Sequence, residues 1–381
     1  MERDETIADS NNSPLRVAIE LTALELDRGG TARAIDQLLP LLEADPRVDI
    51  VEFRHGGSVP KSALGRLWRG LARELHFLPR ELPRRVTKAG VDLLHCPSSL
   101  VPGELDIPAV ITLYDVLAWD HPEWLYRANV AQIKMRMPKA IARGVHVITS
   151  SHYSKRRIIE VFDIPEDRVS VTVLGLDQRF SSEPGADDSA TRSRLGIERP
   201  YLLTVGTLQP RKNVEAAIAG FELIADEHPD LDLVLVGARG WDDSALIGRI
   251  EASPVSDRVR ILGRVSDDEL LALYRGAECF VFPSRYEGFG FPPLEAMACG
   301  VPVVSSGATS LAEIVEGVGV VIDPEVPQEI ADAVEAILGD PALRERMVSA
   351  GIEHAAQFTW ARCADETIAV YEEVAGFTSR K

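Results

Sequence analysis

The sequence predicts an α/β protein of two domains, each a parallel sheet covered by helices. Short apolar runs bounded by Gly, Pro or Ser alternate with helix-like stretches through both halves of the chain, the pattern of parallel strands with helical crossovers. At 381 residues with 45% hydrophobic content, the chain is long for one core and comfortable for two. Around Leu176 to Glu198 it turns rich in Ser, Gly, Asp and Glu without apolar periodicity, which marks a linker. The expected units are a disordered tail at residues 1–14, a first domain at 15–180, a second at 181–359 and a helical segment at 360–381.

Composition narrows the function. Met1 to Pro14 is polar and acidic and lacks the apolar core of a signal peptide, and no stretch is long and apolar enough to span a bilayer, so a soluble, cytoplasmic protein is expected. The four cysteines, Cys96, Cys279, Cys299 and Cys363, are widely spaced and form no C-x-x-C or Cys/His cluster, which points to buried thiols rather than zinc or disulfides. Residues 1–180 carry 24 Lys and Arg against 25 Asp and Glu, whereas residues 181–381 carry 17 against 34. So acidic a protein is a poor nucleic-acid binder, and the two halves have the different electrostatic characters of domains with different ligands.

Leu15 to Leu21 reads as the first strand, followed by Arg28-Gly29-Gly30 and a helical run from Thr31 to Glu43. Strand, glycine turn and helix open a Rossmann-like unit, though without the full G-x-G-x-x-G of a dinucleotide site. Strands are expected next at Val48 to Phe53, Val91 to Cys96, Ala109 to Leu113 and Val145 to Thr149. Thr112-Leu113-Tyr114-Asp115 ends one of them and so projects into the crevice at the sheet's carboxyl edge, where ligands of α/β folds bind; His121-Pro122-Glu123-Trp124 follows. Thr149-Ser150-Ser151 suits the cap of a basic helix from His152.

Lys61 to Lys88 holds eight Lys and Arg against Glu74 and Glu81. Leu64, Leu67, Trp68, Leu71 and Leu75 recur at helical spacing, giving one apolar and one basic face. Two readings stand: an amphipathic helix packed on its own domain, or a surface for anionic membrane lipid or a lipid diphosphate-linked acceptor.

In the second half, strands are expected at Tyr201 to Gly206, Leu233 to Gly237, Val259 to Gly263, Glu278 to Pro283, Val301 to Val304 and Val318 to Ile322. Ser266 to Glu269 is a capping box for a helix through Tyr274, and Trp360 to Val374 is amphipathic. Arg211-Lys212 stands at a helix N-terminus, where cations oppose the dipole and call for an anion nearby. The stretch Ser284 to Val304 combines a glycine loop, Pro292 and Pro293 at the first helical positions, Gly300 past the end, and two carboxylates, Glu287 and Glu295, eight positions apart. Free N–H groups of Gly288 to Phe291 and the helix start suit an anion such as phosphate.

Glu287-Gly288-Phe289-Gly290-Phe291-Pro292-Pro293-Leu294-Glu295 matches without a gap the E-x7-E signature of the retaining glycosyltransferases of family 4, and the chain resembles that family along nearly its whole length. The resemblance implies the GT-B arrangement: two Rossmann-like domains facing each other across a cleft, the first for acceptor and the second for nucleotide sugar, with the C-terminal helix crossing back to the first. It implies that Glu287 lies beside hydroxyls of the donor sugar, that the backbone of Gly288, Phe289, Gly290 and Phe291 meets sugar and diphosphate, and that Glu295 binds the ribose. By the same resemblance Gly29 and Gly30 close over the phosphates and acceptor, Arg211 and Lys212 neutralise the diphosphate, and Arg264 and Val265 lie under the base.

One position departs from the pattern. Many members read His-Asp where this chain reads Tyr114-Asp115, and a phenol with a reference pKa of about 10 is a poor general base near neutrality. Either Asp115 serves the acceptor or His121 swings in, with Tyr114 a hydrogen-bonding partner. The expected activity is transfer of a hexosyl group (mannosyl, glucosyl or N-acetylhexosaminyl) from a UDP- or GDP-sugar to a glycan or lipid-linked acceptor. No cofactor is expected, and no metal either, since no Asp-x-Asp stands at a strand end and cations replace the divalent ion. Two rivals are a glycosidase using paired carboxylates, and a sugar-nucleotide sensor or inactive partner subunit suggested by Tyr114.

Overall fold

The computed structural model describes residues 13–22, 24, 29–55, 72–98, 103–240 and 244–378. Two six-stranded sheets, all of whose pairings are parallel, form its frame. The first contains β1 (Leu15–Glu20), β2 (Val48–Phe53), β3 (Leu93–Cys96), β4 (Ala109–Thr112), β5 (His146–Thr149) and β6 (Val169–Val171), in the order β2-β1-β3-β4-β5-β6. The second contains β7 (Tyr201–Val205), β8 (Asp232–Val236), β9 (Val259–Gly263), β10 (Cys279–Phe282), β11 (Val303–Ser306) and β12 (Val320–Ile322), in the order β12-β11-β10-β7-β8-β9. Helices cover these sheets, so central strands such as β3, β4, β8 and β10 are buried at every residue and read as mainly apolar runs, with His95, Thr112 and Asp232 the buried polar exceptions.

β6 escaped sequence reading because three residues, Val-Ser-Val, are too short to show a period. The insert differs from expectation where it is described. Arg73–Glu81 is wound as a π-helix containing Pro79, in which the Leu82 N–H bonds the Phe77 carbonyl, and it runs on into the helix Leu82–Ala89. Phe77, Leu78, Leu82 and Val86 are buried in the first domain's core. Residues 61–71 of the insert and residues 1–12 of the expected tail lie outside the described residues.

The chain passes between the sheets twice. Leu174 and Leu176 on the outward passage and Trp360 on the return share one core cluster with Phe289, and the Leu176 N–H bonds the Phe358 carbonyl at 2.9 Å. The final helix, Trp360–Thr378, lies on the first domain against the helix Gly30–Ala44, with Ile368, Val370 and Tyr371 packed beside Val17, Ile19 and Ile35. Tyr371 Oη stands 2.6 Å from His95 Nδ1, whose Nε2 is 2.9 Å from Thr112 Oγ1. Burial pushes the His95 pKa down to about 3, so the ring is neutral and anchors the crossing helix to β3.

Candidate active site

The loop after β10 is shaped by its glycines. A Cβ on Gly288 would stand 2.9 Å from the Tyr114 carbonyl oxygen and 3.3 Å from Asp115 Oδ2, so no side chain fits where the two domains meet. Gly290, at φ +123, turns the chain into the helix Phe291–Ala298, whose opening turn holds Pro292 and Pro293 where missing N–H groups cost nothing. The Gly288 carbonyl accepts from Ser150 Oγ at 3.0 Å and Ser151 Oγ at 3.2 Å. Glu313 of the second domain accepts the N–H groups of His152 at 3.0 Å and Tyr153 at 2.6 Å, capping the helix His152–Phe162 from across the boundary.

Glu287 is buried, and both carboxylate oxygens are occupied. Oε1 pairs with Lys212 Nζ and accepts from Ser284 Oγ at 2.7 Å, while Oε2 lies 3.0 Å from Arg211 Nη1. Arg211 and Lys212 reach it from a tight turn, Pro210–Lys212, that ends at Asn213 in the left-handed conformation, φ 50, with Asn213 Nδ2 on the Pro324 carbonyl at 2.6 Å. Burial by itself raises a carboxyl pKa, but here the charges of Lys212 and Arg211 win and hold Glu287 down to about 2. Burial pushes Lys212 down to about 8, against the pull of Glu287 and with Arg211 adding to the depression. Near neutral pH the trio is one carboxylate between two cations.

Glu295, also buried, accepts from Tyr274 Oη at 2.8 Å and stands 3.6 Å from Arg33 Nη1 of the first domain. Burial raises its pKa above the ordinary carboxyl value. A carboxylate held by one phenol and one half-exposed guanidinium keeps accepting capacity toward the cleft that it lines.

The cleft between the domains has a volume of about 530 Å3. Gly29, Gly30, Tyr114 and Asp115 line it from the first domain; Arg211, Lys212, Arg264, Val265, Glu287 to Phe291 and Glu295 line it from the second. The carboxyl ends of β4, β7, β9 and β10 and the N-terminus of Gly30–Ala44 thus converge on one space. Burial raises the Tyr114 pKa far above its usual value, so it offers a proton-bearing hydroxyl and not a base. Burial also raises Asp115, whose Oδ1 accepts the Leu117 N–H at 2.9 Å. His121 does not line the cleft: its ring stacks on Trp124 at 4.0 Å, lies edge-on to Tyr286 at 5.8 Å, and its Nδ1 is 3.0 Å from Glu123 Oε1.

Among the partners that escaped sequence reading are Ser284, Tyr274, Arg33 and Thr309, whose hydroxyl lies 3.0 Å from both the nitrogen and the carbonyl oxygen of Glu287. A signal for Arg33 was present, since it is a cation in the first turn of a helix that follows a glycine pair, the same opposition to the dipole that singled out Arg211 and Lys212. The three hydroxyls carry no such signal.

The family described as Glycosyltransferase Family 4 matches residues 28–180, and the one described as Glycosyl transferases group 1 matches residues 187–354. The O-antigen chain mannosyltransferase B of Escherichia coli is 32% identical over 364 residues, covering 94% of this chain and 92% of that protein. Among solved structures, Anabaena Alr3699/HepE in complex with UDP and glucose superposes with a TM-score of 0.69 at 18% identity, over 94% of this chain and 99% of that one. The sucrose-phosphate synthase of Thermosynechococcus elongatus gives 0.72 at 20% identity, with the same coverage. These two likenesses speak to the two-domain fold.

Proposed function

The chain belongs to the retaining glycosyltransferases of family 4 and has their two-domain GT-B fold, and from that premise we propose that it transfers a mannosyl group from a nucleotide-diphosphate sugar, without a metal, to a growing glycan carried on lipid. The mannosyl assignment is supported by the Escherichia coli mannosyltransferase, similar over 94% of the chain. The observation that carries the chemistry is the Glu287 carboxylate held between Arg211 and Lys212 at the edge of the cleft.

As the sugar leaves, negative charge grows on the diphosphate and positive charge on the anomeric carbon. Arg211, Lys212 and the N–H groups of the loop Gly288 to Phe291 are fixed in advance to receive the first, in a half-buried cleft where fixed charges act more strongly than in open water. Glu287, ionised at every pH of interest, answers the second and orients the sugar as a hydrogen-bond acceptor, with no need to bond to carbon. Glu295 accepts from ribose hydroxyls, and Tyr114 donates a hydrogen bond on the first-domain side. The departing phosphate takes the acceptor's proton, which leaves no base for position 114 to supply.

Incubation with GDP-mannose, UDP-glucose and UDP-N-acetylglucosamine, with and without a chelator, tests this reading. The expected result is sugar transfer from GDP-mannose, and a rise in melting temperature with the corresponding nucleotide, both indifferent to the chelator. Turnover that vanishes with the chelator overturns metal independence, and transfer from a different sugar alone overturns the mannosyl assignment.

A membrane-borne acceptor is supported by two neighbouring basic elements of the first domain. The helix Arg127–Ala142 carries Arg127, Lys134, Arg136 and Lys139 and no carboxylate. Tyr126 and Met135 are 59% and 55% exposed, and both belong to this surface. Arg136 lies near enough to Arg73 of the insert for that charge, after burial, to lower its pKa. The expected result is co-sedimentation with vesicles of anionic phospholipid but not of phosphatidylcholine, weakened in Lys134→Glu/Met135→Asp; equal sedimentation with both vesicles removes the proposal.

A further inference from the structure

The loop after β11 holds a residue in a conformation that its type avoids. Thr309 has φ +59, in the left-handed region, where a β-branched side chain crowds its own backbone. Such a conformation persists only where the surroundings fix it. What fixes it here is Glu287, 22 residues away in sequence: the Glu287 N–H donates to Thr309 Oγ1 at 3.0 Å, and the same hydroxyl donates to the Glu287 carbonyl at 3.0 Å. Ser310, fully buried, adds its hydroxyl beside the Glu287 carbonyl at 2.8 Å and the Phe289 carbonyl at 2.9 Å.

Glu287 stands in an irregular loop that follows β10, so no sheet ladder orients its peptide groups. Its carboxylate is fixed at the far end by Lys212, Arg211 and Ser284. Its backbone is fixed at the near end by the Thr309 hydroxyl, which satisfies donor and acceptor of the same residue, with Ser310 Oγ a second donor to the carbonyl. A glycine at 309 would adopt this φ without crowding but offer no hydroxyl; serine would offer the hydroxyl with less crowding. A hydroxyl-bearing side chain in this conformation is therefore explained by the clamp and not by the turn.

We propose that Thr309, which does not itself line the cleft, is a positioning residue for sugar transfer: it holds the Glu287 backbone so that the carboxylate meets the reacting sugar in one orientation. The inference rests on the transferase reading above. Misplacement of a catalytic group by about 1 Å costs on the order of a hundredfold in rate. Binding of the nucleotide portion, which depends on other residues, need not suffer.

The test compares Thr309→Gly, Thr309→Val and Thr309→Ser with wild type by steady-state kinetics on GDP-mannose, with melting temperature and GDP affinity measured in parallel. The expected result is a kcat lowered about 10- to 100-fold in the Gly and Val variants, with donor KM and GDP affinity within about twofold, and a Ser variant within about threefold of wild type. Undiminished kcat in Thr309→Gly overturns the proposal, as does a Ser variant that falls as far as the Gly variant, or a KM that rises while kcat holds. If Thr309→Gly loses GDP binding with its fold, Thr309→Val, which keeps the side chain's shape, decides by the same criteria. A wild-type protein that binds GDP yet transfers no sugar overturns the transferase reading and this inference with it. Wild-type turnover with an unaffected Thr309→Gly removes only the inference.

Discussion

Glu287→Gln is expected to lose about three orders of magnitude in kcat, the upper range for removing one preorganised electrostatic contact from a transition state, while keeping its affinity for nucleoside diphosphate near pH 6.5. The amide keeps the shape and one accepting oxygen but supplies no charge to the developing cation. Binding survives because the substitution takes a negative charge away from the two cations that receive the diphosphate. The fold pays for the change: two buried or half-buried cations lose their counter-ion, which costs about 3–5 kcal/mol by comparison with other broken buried pairs. A lower melting temperature that recovers disproportionately on adding nucleoside diphosphate is the accompanying signature. Without the carboxylate that raises it, the Lys212 pKa falls further, so nucleotide binding by the variant weakens as pH climbs toward 8. Activity close to wild type in Glu287→Gln would falsify the assigned role, and loss of turnover and binding together would point to a merely structural one.

The second large effect is on pH dependence. Lys212 works as a cation, and burial has brought its pKa down to about 8, so its contribution is present below that value and lost as pH rises through it. The expected profile of kcat/KM falls above about pH 8, approaching tenfold per unit before Arg211 alone sets a floor. The kcat profile breaks at a higher pH, because the bound diphosphate raises the Lys212 pKa. Glu287, held down to about 2, gives no break in the accessible range. Lys212→Arg removes the alkaline limb because a guanidinium keeps its proton, even where altered geometry lowers the rate. Lys212→Ala is expected to cost about a thousandfold in kcat/KM. A profile flat to pH 10 in wild type, or an unchanged limb in Lys212→Arg, assigns the break to another group.

Much of the fold was legible because its causes are local. The largely apolar strands β1, β7 and β10, the capping box at Ser266 and Glu269, the Ser151 cap and the prolines opening Phe291–Ala298 each act within a few residues, so periodicity and capping chemistry expose them. The three residues of β6 and the π-wound turn at Pro79 were not legible, the first for want of length and the second because the sequence shows a proline but not how the backbone bends to accept it.

For the site, the residues alone determined the chemical inventory: two carboxylates eight positions apart, a glycine loop, and an Arg-Lys pair that needed an anion. They did not determine which anion. Only the tertiary structure decided that Arg211 and Lys212 hold Glu287, that Arg33 faces Glu295 across the domain boundary, that His121 packs on Trp124 and Tyr286, and that Thr309 clamps the Glu287 backbone. The physical reason is separation along the chain. Glu287 meets Lys212 across 75 residues and Thr309 across 22, and nothing in the period or composition of either segment encodes the sheet order β11-β10-β7 that brings them together.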